Sequence, residues 1–417
     1  MQLLKEKYGF IFCVSSFAFL GGCILGAETF QLGVDVFKPD ILYQITGKKS
    51  PTLAVVTNQT GRSQDGKRTI NVLRQHGCKV KKVFAPEHGF NGQLAADCDV
   101  KDSCDVETGI PVISLYGKRS SINVKKHLSK GIECIIFDMQ DAGIRHYSYL
   151  STLFYILKIA AAYHIPCVVF DRPNPLKHLV EGPLVEASHV SSVAIASIPL
   201  RYGLTIGEVA RYFNTYCLKA PAQLHVVAMR NFVRSDGITA MPAPLSPYIR
   251  NKQACYGYSF LGLLGEVRPF DTGLDTAHAF RCFALPDAVS CTPRMWEKLS
   301  ERLHAIGLST RLFRYKSPRK KAWCQGLRLV AVDPSRFSSC HVLITIMRFM
   351  KDAGVSLTFS PNFNASAGTD QLASYIQKSN LHDVFACNIH KGLVDFCAKA
   401  KKIALYGPDL KIVDLQR

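Results

Sequence analysis

Acidic residues are scarce in this 417-residue chain: 32 Asp and Glu stand against 51 Lys and Arg, a formal charge of +19. That excess fits a nucleic acid, an anionic membrane or an anionic substrate as partner, or simply a basic proteome. Nucleic acid is the least favoured, because the charge is dispersed and no basic helix with interleaved aromatics occurs. Long uncharged runs are lacking after residue 27, which excludes a multi-span membrane protein. Low complexity is lacking too: 47% hydrophobic and 20% charged residues exclude a disordered chain. A chain of this length holds two domains or one large one, with a core that needs no disulfide staples.

Several chemical signatures are missing as well. There is no Gly-x-Ser-x-Gly elbow and no His-Glu-x-x-His, which argues against a serine esterase or a zincin. No Gly-x-Gly-x-x-Gly follows the first strand, so a dinucleotide is not implied. Gly61 to Lys67 has phosphate-loop spacing, but Arg68 stands where Ser or Thr would hold magnesium. Neither Cys-x-x-Cys nor zinc-type ligand spacing occurs, and no metal is expected.

The N-terminus reads as an address. Lys5 and Lys7 precede an uncharged run from Tyr8 to Ala27, the order of a secretory signal. Leu25-Gly26-Ala27 offers a cleavage site before Glu28. Leu20-Gly21-Gly22-Cys23 offers a lipoprotein-type site, with Cys23 as a membrane tether. An uncleaved span is the third option. The protein is therefore expected to be exported, either periplasmic or membrane-anchored in the cell envelope. Of 15 cysteines, Cys13 and Cys23 fall in this segment, and the odd remainder cannot all pair within the chain. Cys98 and Cys104 flank a polar loop and could pair in an oxidising compartment. Most others, such as Cys134 and Cys167, read as small buried hydrophobes.

From residue 50, short apolar runs alternate with helical stretches. Strands are expected at Leu53–Thr57, Val80–Ala85, Val112–Tyr116, Cys134–Phe137, Cys167–Phe170 and Leu224–Met229. Helices are expected at Thr69–Gln75, Tyr149–His164 and Thr205–Cys217. Continuous apolar strands separated by helices indicate a parallel sheet covered on both faces. The fold class is therefore α/β, with a Rossmann-like N-terminal domain over 28–237. Three prolines between Pro242 and Pro247 mark a boundary or an ordered surface loop. A smaller α+β domain is expected over 238–417, with a strand at Trp323–Val332. Its helices are expected at Thr292–Ala305, Phe337–Ala353 and Asp383–Tyr406.

In a parallel sheet the C-terminal strand ends share one edge, and ligands bind in the crevice there. Four strands end in polar clusters: Asn58-Gln59-Thr60, Glu87-His88, Asp138 to Tyr147, and Asp171-Arg172 with Asn174. Each cluster alone reads equally as turn or core chemistry; four on one edge suggest a site. Glu87, Asp138 and Asp141 supply carboxylates, and two carboxyls flanking a bond are the equipment of glycoside hydrolysis. Arg145, Arg172 and Arg201 could hold a substrate carboxylate, or pair with Asp138, Asp141 or Asp171. Tyr147 and Tyr149 could stack on a sugar face.

These clusters also carry a resemblance. Thr57-Asn58-Gln59-Thr60-Gly61, Phe84-Ala85-Pro86-Glu87-His88-Gly89-Phe90 and Thr108-Gly109-x-Pro111 occur in order. Phe137-Asp138-x-Gln140-Asp141-x-Gly143-x-Arg145, Asp171-Arg172-Pro173-Asn174-Pro175 and Val180-Glu181-Gly182-Pro183 follow. Together they closely resemble the NamZ-type exo-β-N-acetylmuramidases, from about Gly33 to Arg230. The second half matches less well; Leu245-Ser246-Pro247-Tyr248 stands where the family has Pro-Ser-Pro-Asn.

The resemblance implies release of N-acetylmuramic acid from the non-reducing end of peptidoglycan fragments, with no cofactor. The partners would be muropeptides or disaccharides. Glu87 takes the catalytic position, with Asp138 and Asp141 as further carboxylates. Asn58, Gln59, His88, Arg145, Tyr147, Asp171, Arg172, Asn174, Glu181 and Arg201 fall at substrate-binding positions. A catalytically degenerate envelope protein that binds peptidoglycan fragments is the alternative.

Overall fold

The structure is a computed structural model. It describes residues 29–414 except 96–97, 118–125, 129–130, 239–240, 290 and 379–381. The predicted signal and Cys23 lie outside the described residues.

The N-terminal half is built on a seven-stranded sheet. Its strands are β1 (Thr52–Thr57), β2 (Lys79–Ala85), β3 (Ser103–Cys104), β4 (Pro111–Ser114), β5 (Cys134–Asp138), β6 (Cys167–Phe170) and β7 (Leu224–Val227). The spatial order is β3-β4-β2-β1-β5-β6-β7, parallel throughout except for the short antiparallel edge strand β3. In β1, Ala54 and Val56 point into one core and Leu53 and Val55 into the other, all fully buried. Two covered faces explain why these strands read as unbroken apolar runs rather than alternating ones. Each such Val or Leu contributes about 1.5–3 kcal/mol by leaving water.

The chain runs from β1 outward to β2 and β4 on one side. It then returns to β5 beside β1 and continues outward on the other side to β6 and β7. The C-terminal ends of β1 and β5 thus flank the topological switch point, where a crevice opens in sheets of this kind.

The C-terminal half carries a three-stranded antiparallel sheet, β8 (Cys282–Pro286), β9 (Ser309–Ser317) and β10 (Ala322–Ala331), in the order β8-β10-β9. The Pro293–Ala305, Ser339–Asp352 and His382–Lys401 helices accompany it. One apolar core runs from the face of β1 through the Tyr149–Ala162 and Lys252–Leu264 helices to Trp296 and Phe396, so the two halves share an interior.

Three expectations needed correction. The helix expected over Thr205–Cys217 is α-helical only from Ile206 to Tyr212 and continues as a π-helical turn through Cys217. The last helix ends at Lys401 rather than Tyr406, and the chain soon turns through Gly407-Pro408. Cys98 and Cys104 do not pair: all described cysteines are free thiols, with Cys134 and Cys167 fully buried. The Gly61–Lys67 stretch closes on itself, with Ser63 N donating to Lys67 O at 2.9 Å and Gly66 N to Ser63 O at 3.0 Å. Gln64 N donates outside the turn, to Asp35 Oδ1 at 3.1 Å, and Gly61 N to Asn58 O at 3.0 Å, so these amides are not gathered into a phosphate cradle.

Candidate active site

Glu87 follows β2 directly and is half-buried. Ser148 Oγ donates to its Oε2 at 2.6 Å, a bond to a charged acceptor that fixes the carboxylate's orientation. The following turn needs left-handed backbone at both His88 (φ 69°) and Gly89 (φ 76°). His88 tolerates this because its ring bonds Leu94 O at 2.8 Å, which closes the loop. Glu87 lines a cavity of about 490 Å³ together with Tyr116, Ser148, Tyr155, Ile156 and Ser192.

At the end of β1, Asn58 folds back on its own loop. Its Oδ1 accepts from Thr60 N at 2.9 Å and Thr60 Oγ1 at 2.6 Å, and its Nδ2 donates to Tyr149 Oη at 2.7 Å. Gln59 Nε2 donates to Pro244 O at 2.8 Å, and Tyr147 Oη donates to Leu245 O at 2.8 Å. The proline-rich segment is therefore an ordered loop tied across the switch point. Tyr147 and Tyr149 are buried, with ring centroids 4.4 Å apart. They pack against each other and offer no face to a sugar.

The other predicted site residues are interior. Asp138 is fully buried and held by Arg172, whose Nε donates at 2.5 Å and Nη2 at 2.8 Å, and by the Thr69 hydroxyl. Asp141 accepts from Gly143 N at 2.6 Å and from the Tyr202 hydroxyl. Burial pushes its pKa up to about 6, against the pull of those two donors. Asp171 accepts from Arg172 N at 2.8 Å, Gly207 N at 2.7 Å, Thr205 Oγ1 at 2.8 Å and Tyr406 Oη at 2.7 Å. Burial again raises it to about 6, and the nearby charge of Glu208 adds to the rise. Asn174 braces its own loop, donating to Leu204 O at 2.9 Å and accepting from Leu176 N at 2.8 Å.

The three arginines read as carboxylate holders are committed elsewhere. Arg172 pairs with Asp138. Arg201 pairs with Glu181 at 3.3 Å, and both are fully buried. Glu181 also accepts from Ser339 N at 2.8 Å, at the start of the Ser339–Asp352 helix, where a carboxylate complements the helix dipole. Arg145 spends its guanidinium on the carbonyls of Pro183, Ile198, Ser366 and Ala367. Burial lowers its pKa to about 9. These groups hold the strand-end loops, and the second half, in place. Neither they nor Asp138 and Asp141 line the Glu87 cavity.

Ser148, which holds Glu87, and Tyr258, which packs against His146 and Tyr147, were not singled out by the sequence reading. Ser148 sits at the N-cap of the Tyr149–Ala162 helix, one residue past the Asp138-to-Tyr147 run that attracted notice. Tyr258 comes from the Lys252–Leu264 helix of the second half. Burial raises its pKa, and the charges of Glu87 and Asp141 raise it further. Among the described residues, no group of three His, Cys, Asp or Glu side chains could hold a metal ion.

Residues 53–253 match the family described as Exo-beta-N-acetylmuramidase NamZ, N-terminal, and residues 256–406 match its C-terminal counterpart. The chain belongs to the NamZ family. The two NamZ segments meet just after the proline-rich loop. A curated relative, the peptidoglycan beta-N-acetylmuramidase NamZ of Bacillus subtilis (strain 168), is 29% identical over 387 residues. The match covers 90% of this chain and 91% of the relative. Two solved structures of DUF1343 family proteins from Bacteroides fragilis NCTC 9343 share the architecture. One has a TM-score of 0.77 at 27% identity, covering 91% of this chain and 99% of that one. The other has a TM-score of 0.71 at 22% identity, covering 92% and 100%, and speaks for the fold alone. The α/β NamZ architecture expected from the sequence is the one observed.

Proposed function

We propose that this chain is a peptidoglycan glycoside hydrolase that releases N-acetylmuramic acid from the non-reducing end of wall fragments, with Glu87 as general acid/base. The observation that carries this reading is the position of Glu87. It is a half-buried carboxylate at a strand end beside the switch point, oriented by Ser148, on a cavity large enough for sugar. In the bond-breaking step Glu87 gives its proton to the glycosidic oxygen as the C1–O bond breaks. As a carboxylate it then takes a proton from the water that adds to C1. Asp138 and Asp141 serve as orienting carboxylates. Asp138 fixes Arg172 and Thr69, and Asp141 holds the turn at Gly143.

In the same proposal the protein is exported by residues 1–27, with Cys23 as a candidate tether. Residues 1–27 hold Lys5, Glu6 and Lys7, so nearly all of the +19 charge lies on the exported body and favours an anionic wall sugar. The test is to incubate the purified protein with the disaccharide of N-acetylmuramic acid β-linked to N-acetylglucosamine. Release of free N-acetylmuramic acid, detected by mass, is expected. Binding without release over a range of pH would instead identify a degenerate binder.

A further inference from the structure

The Tyr149–Ala162 helix forms one wall of the Glu87 cavity. Ser148, Ser151, Thr152, Tyr155, Ile156 and Ile159 line the space. Their spacing is i, i+3, i+4, i+7, i+8 and i+11, which is that of a single helix face. At 1.5 Å per residue this wall runs about 16 Å from Ser148 to Ile159. Glu87 stands at its start, because Ser148 Oγ donates to the carboxylate at 2.6 Å. The acid is therefore at one end of an elongated wall and not midway along it.

The wall is firmly held. Leu153, Ile156, Leu157 and Ala160 are buried in the main core, which fixes the helix. Ser151 Oγ donates to Ser192 O at 2.5 Å and ties that lining residue to the helix.

The chemistry of the wall changes along its length. Beside Glu87 it offers the hydroxyls of Ser148, Ser151 and Thr152. Two turns on from Ser148 comes Tyr155, and beyond it Ile159. Tyr155 keeps 46% of its surface open, although it is a large ring on a cavity wall. Phe154 meets it in a T-shaped contact at 6.2 Å and packs in turn on Phe213 at 5.4 Å. The ring is thus braced from within the fold and still accessible, unlike those of Tyr147 and Tyr149, which are buried. A sugar carries hydroxyls around its edge and C–H groups on its faces. Hydroxyl side chains followed by an open aromatic ring match both.

An enzyme that removes a terminal sugar holds one sugar on the non-reducing side of the bond it breaks. A wall of three helical turns leading away from the acid is longer than one sugar ring. The long side is the place of the leaving chain.

We propose that this wall binds the leaving part of the glycan beyond its first sugar, with Tyr155 as the platform that positions it. The preferred substrate is then a chain longer than a disaccharide. This rests on the glycosidase reading with Glu87 at the reacting bond, and it adds the length and direction of the substrate. One sugar stacked on the ring corresponds to about tenfold in affinity.

Tyr155 is exposed, so Tyr155→Ala and Tyr155→Phe should fold with wild-type thermal midpoints. Kinetics would compare the disaccharide of N-acetylmuramic acid β-linked to N-acetylglucosamine with the tetrasaccharide that repeats it. Calorimetry would measure binding of the trisaccharide left when the tetrasaccharide loses its terminal N-acetylmuramic acid. The wild-type protein should show a lower KM for the tetrasaccharide than for the disaccharide. Tyr155→Ala should abolish that gain, keep kcat, and bind the trisaccharide about tenfold more weakly. Tyr155→Phe should keep both. Equal KM for the two substrates, unchanged in Tyr155→Ala, would overturn the wall and leave the glycosidase reading standing. Weaker binding of N-acetylmuramic acid itself in Tyr155→Ala, with the trisaccharide unaffected, would overturn the direction. Trisaccharide binding that depends on Tyr155 in a protein that turns over nothing would keep the wall and overturn the glycosidase reading. If the wild-type protein neither binds the trisaccharide nor cleaves either substrate, both are overturned.

Discussion

Replacing Asp138 by Ala separates a structural carboxylate from a chemical one. Asp138 and Arg172 are 0% and 1% exposed, so neither can turn to water when its partner is removed. In Asp138→Ala, Arg172 loses two charge-assisted bonds, at 2.5 and 2.8 Å, and its Nη1 already has no partner. Only the bond from Nη2 to Arg62 O remains. Breaking a buried pair from one side costs about 3–5 kcal/mol. Loss of the Thr69 hydroxyl's acceptor adds about 1 kcal/mol. That is a large share of the roughly 5–15 kcal/mol that holds a typical native fold. Urea denaturation followed by circular dichroism should show a much lower midpoint with an unchanged slope. Removing both charges together, as Asp138→Leu with Arg172→Met, should recover most of the loss. A stable Asp138→Ala protein whose turnover has fallen a hundredfold or more would refute the structural role and put Asp138 in the chemistry.

Asp141 and Asp171, both raised to about 6 by burial, predict a pH trend. The folded state keeps protons that the unfolded chain releases near pH 4, so their stabilisation is complete below about pH 4 and is lost as pH rises through 6. Asp141→Asn should flatten this trend by roughly 3 kcal/mol between pH 4 and 7, read as the difference in urea midpoints. A pH-independent difference between variant and wild type would contradict the raised value. Ser148→Ala should fold normally and lower kcat by about tenfold with KM unchanged, because a bond to a charged group orients Glu87. An unchanged kcat would remove Ser148 from the mechanism. Gly143 sits at φ +79°, and a Cβ there would lie 2.2 Å from Asn174 Oδ1. Gly143→Ala should therefore lower thermal stability by at least about 1 kcal/mol and disturb the Asp141 turn.

The parallel sheet was legible because buried strands such as Cys134–Asp138 and Cys167–Phe170 are unbroken apolar runs bounded by polar clusters. β8 and β9 were not. Cys282–Pro286 is short and ends in proline, and Ser309–Ser317 is an edge strand whose Arg311, Arg314 and Lys316 face water. At the strand ends, sequence pattern picked out the polar clusters but could not separate residues that line a cavity, such as Glu87, from those buried beneath it. Glu87 and Asp138 look alike in a string of letters. Their difference comes from Arg172, 34 residues away in the chain, reaching one carboxylate and not the other. The same holds for the cations. Arg145 and Arg201 sit in recognisable motifs and are interior, whereas Arg268 and Lys320 carry no motif and line a cavity.

The central claim is that Glu87 carries the acid–base chemistry, and it is tested most directly by turnover of a chromogenic muramic acid β-glycoside in wild-type and Glu87→Gln proteins of matched thermal stability. Glutamine keeps the shape and an acceptor for Ser148 but neither donates nor takes the proton. The account predicts a fall in kcat of about 10²–10⁴-fold in Glu87→Gln, with N-acetylmuramic acid still bound. Near-wild-type turnover in that variant would contradict it.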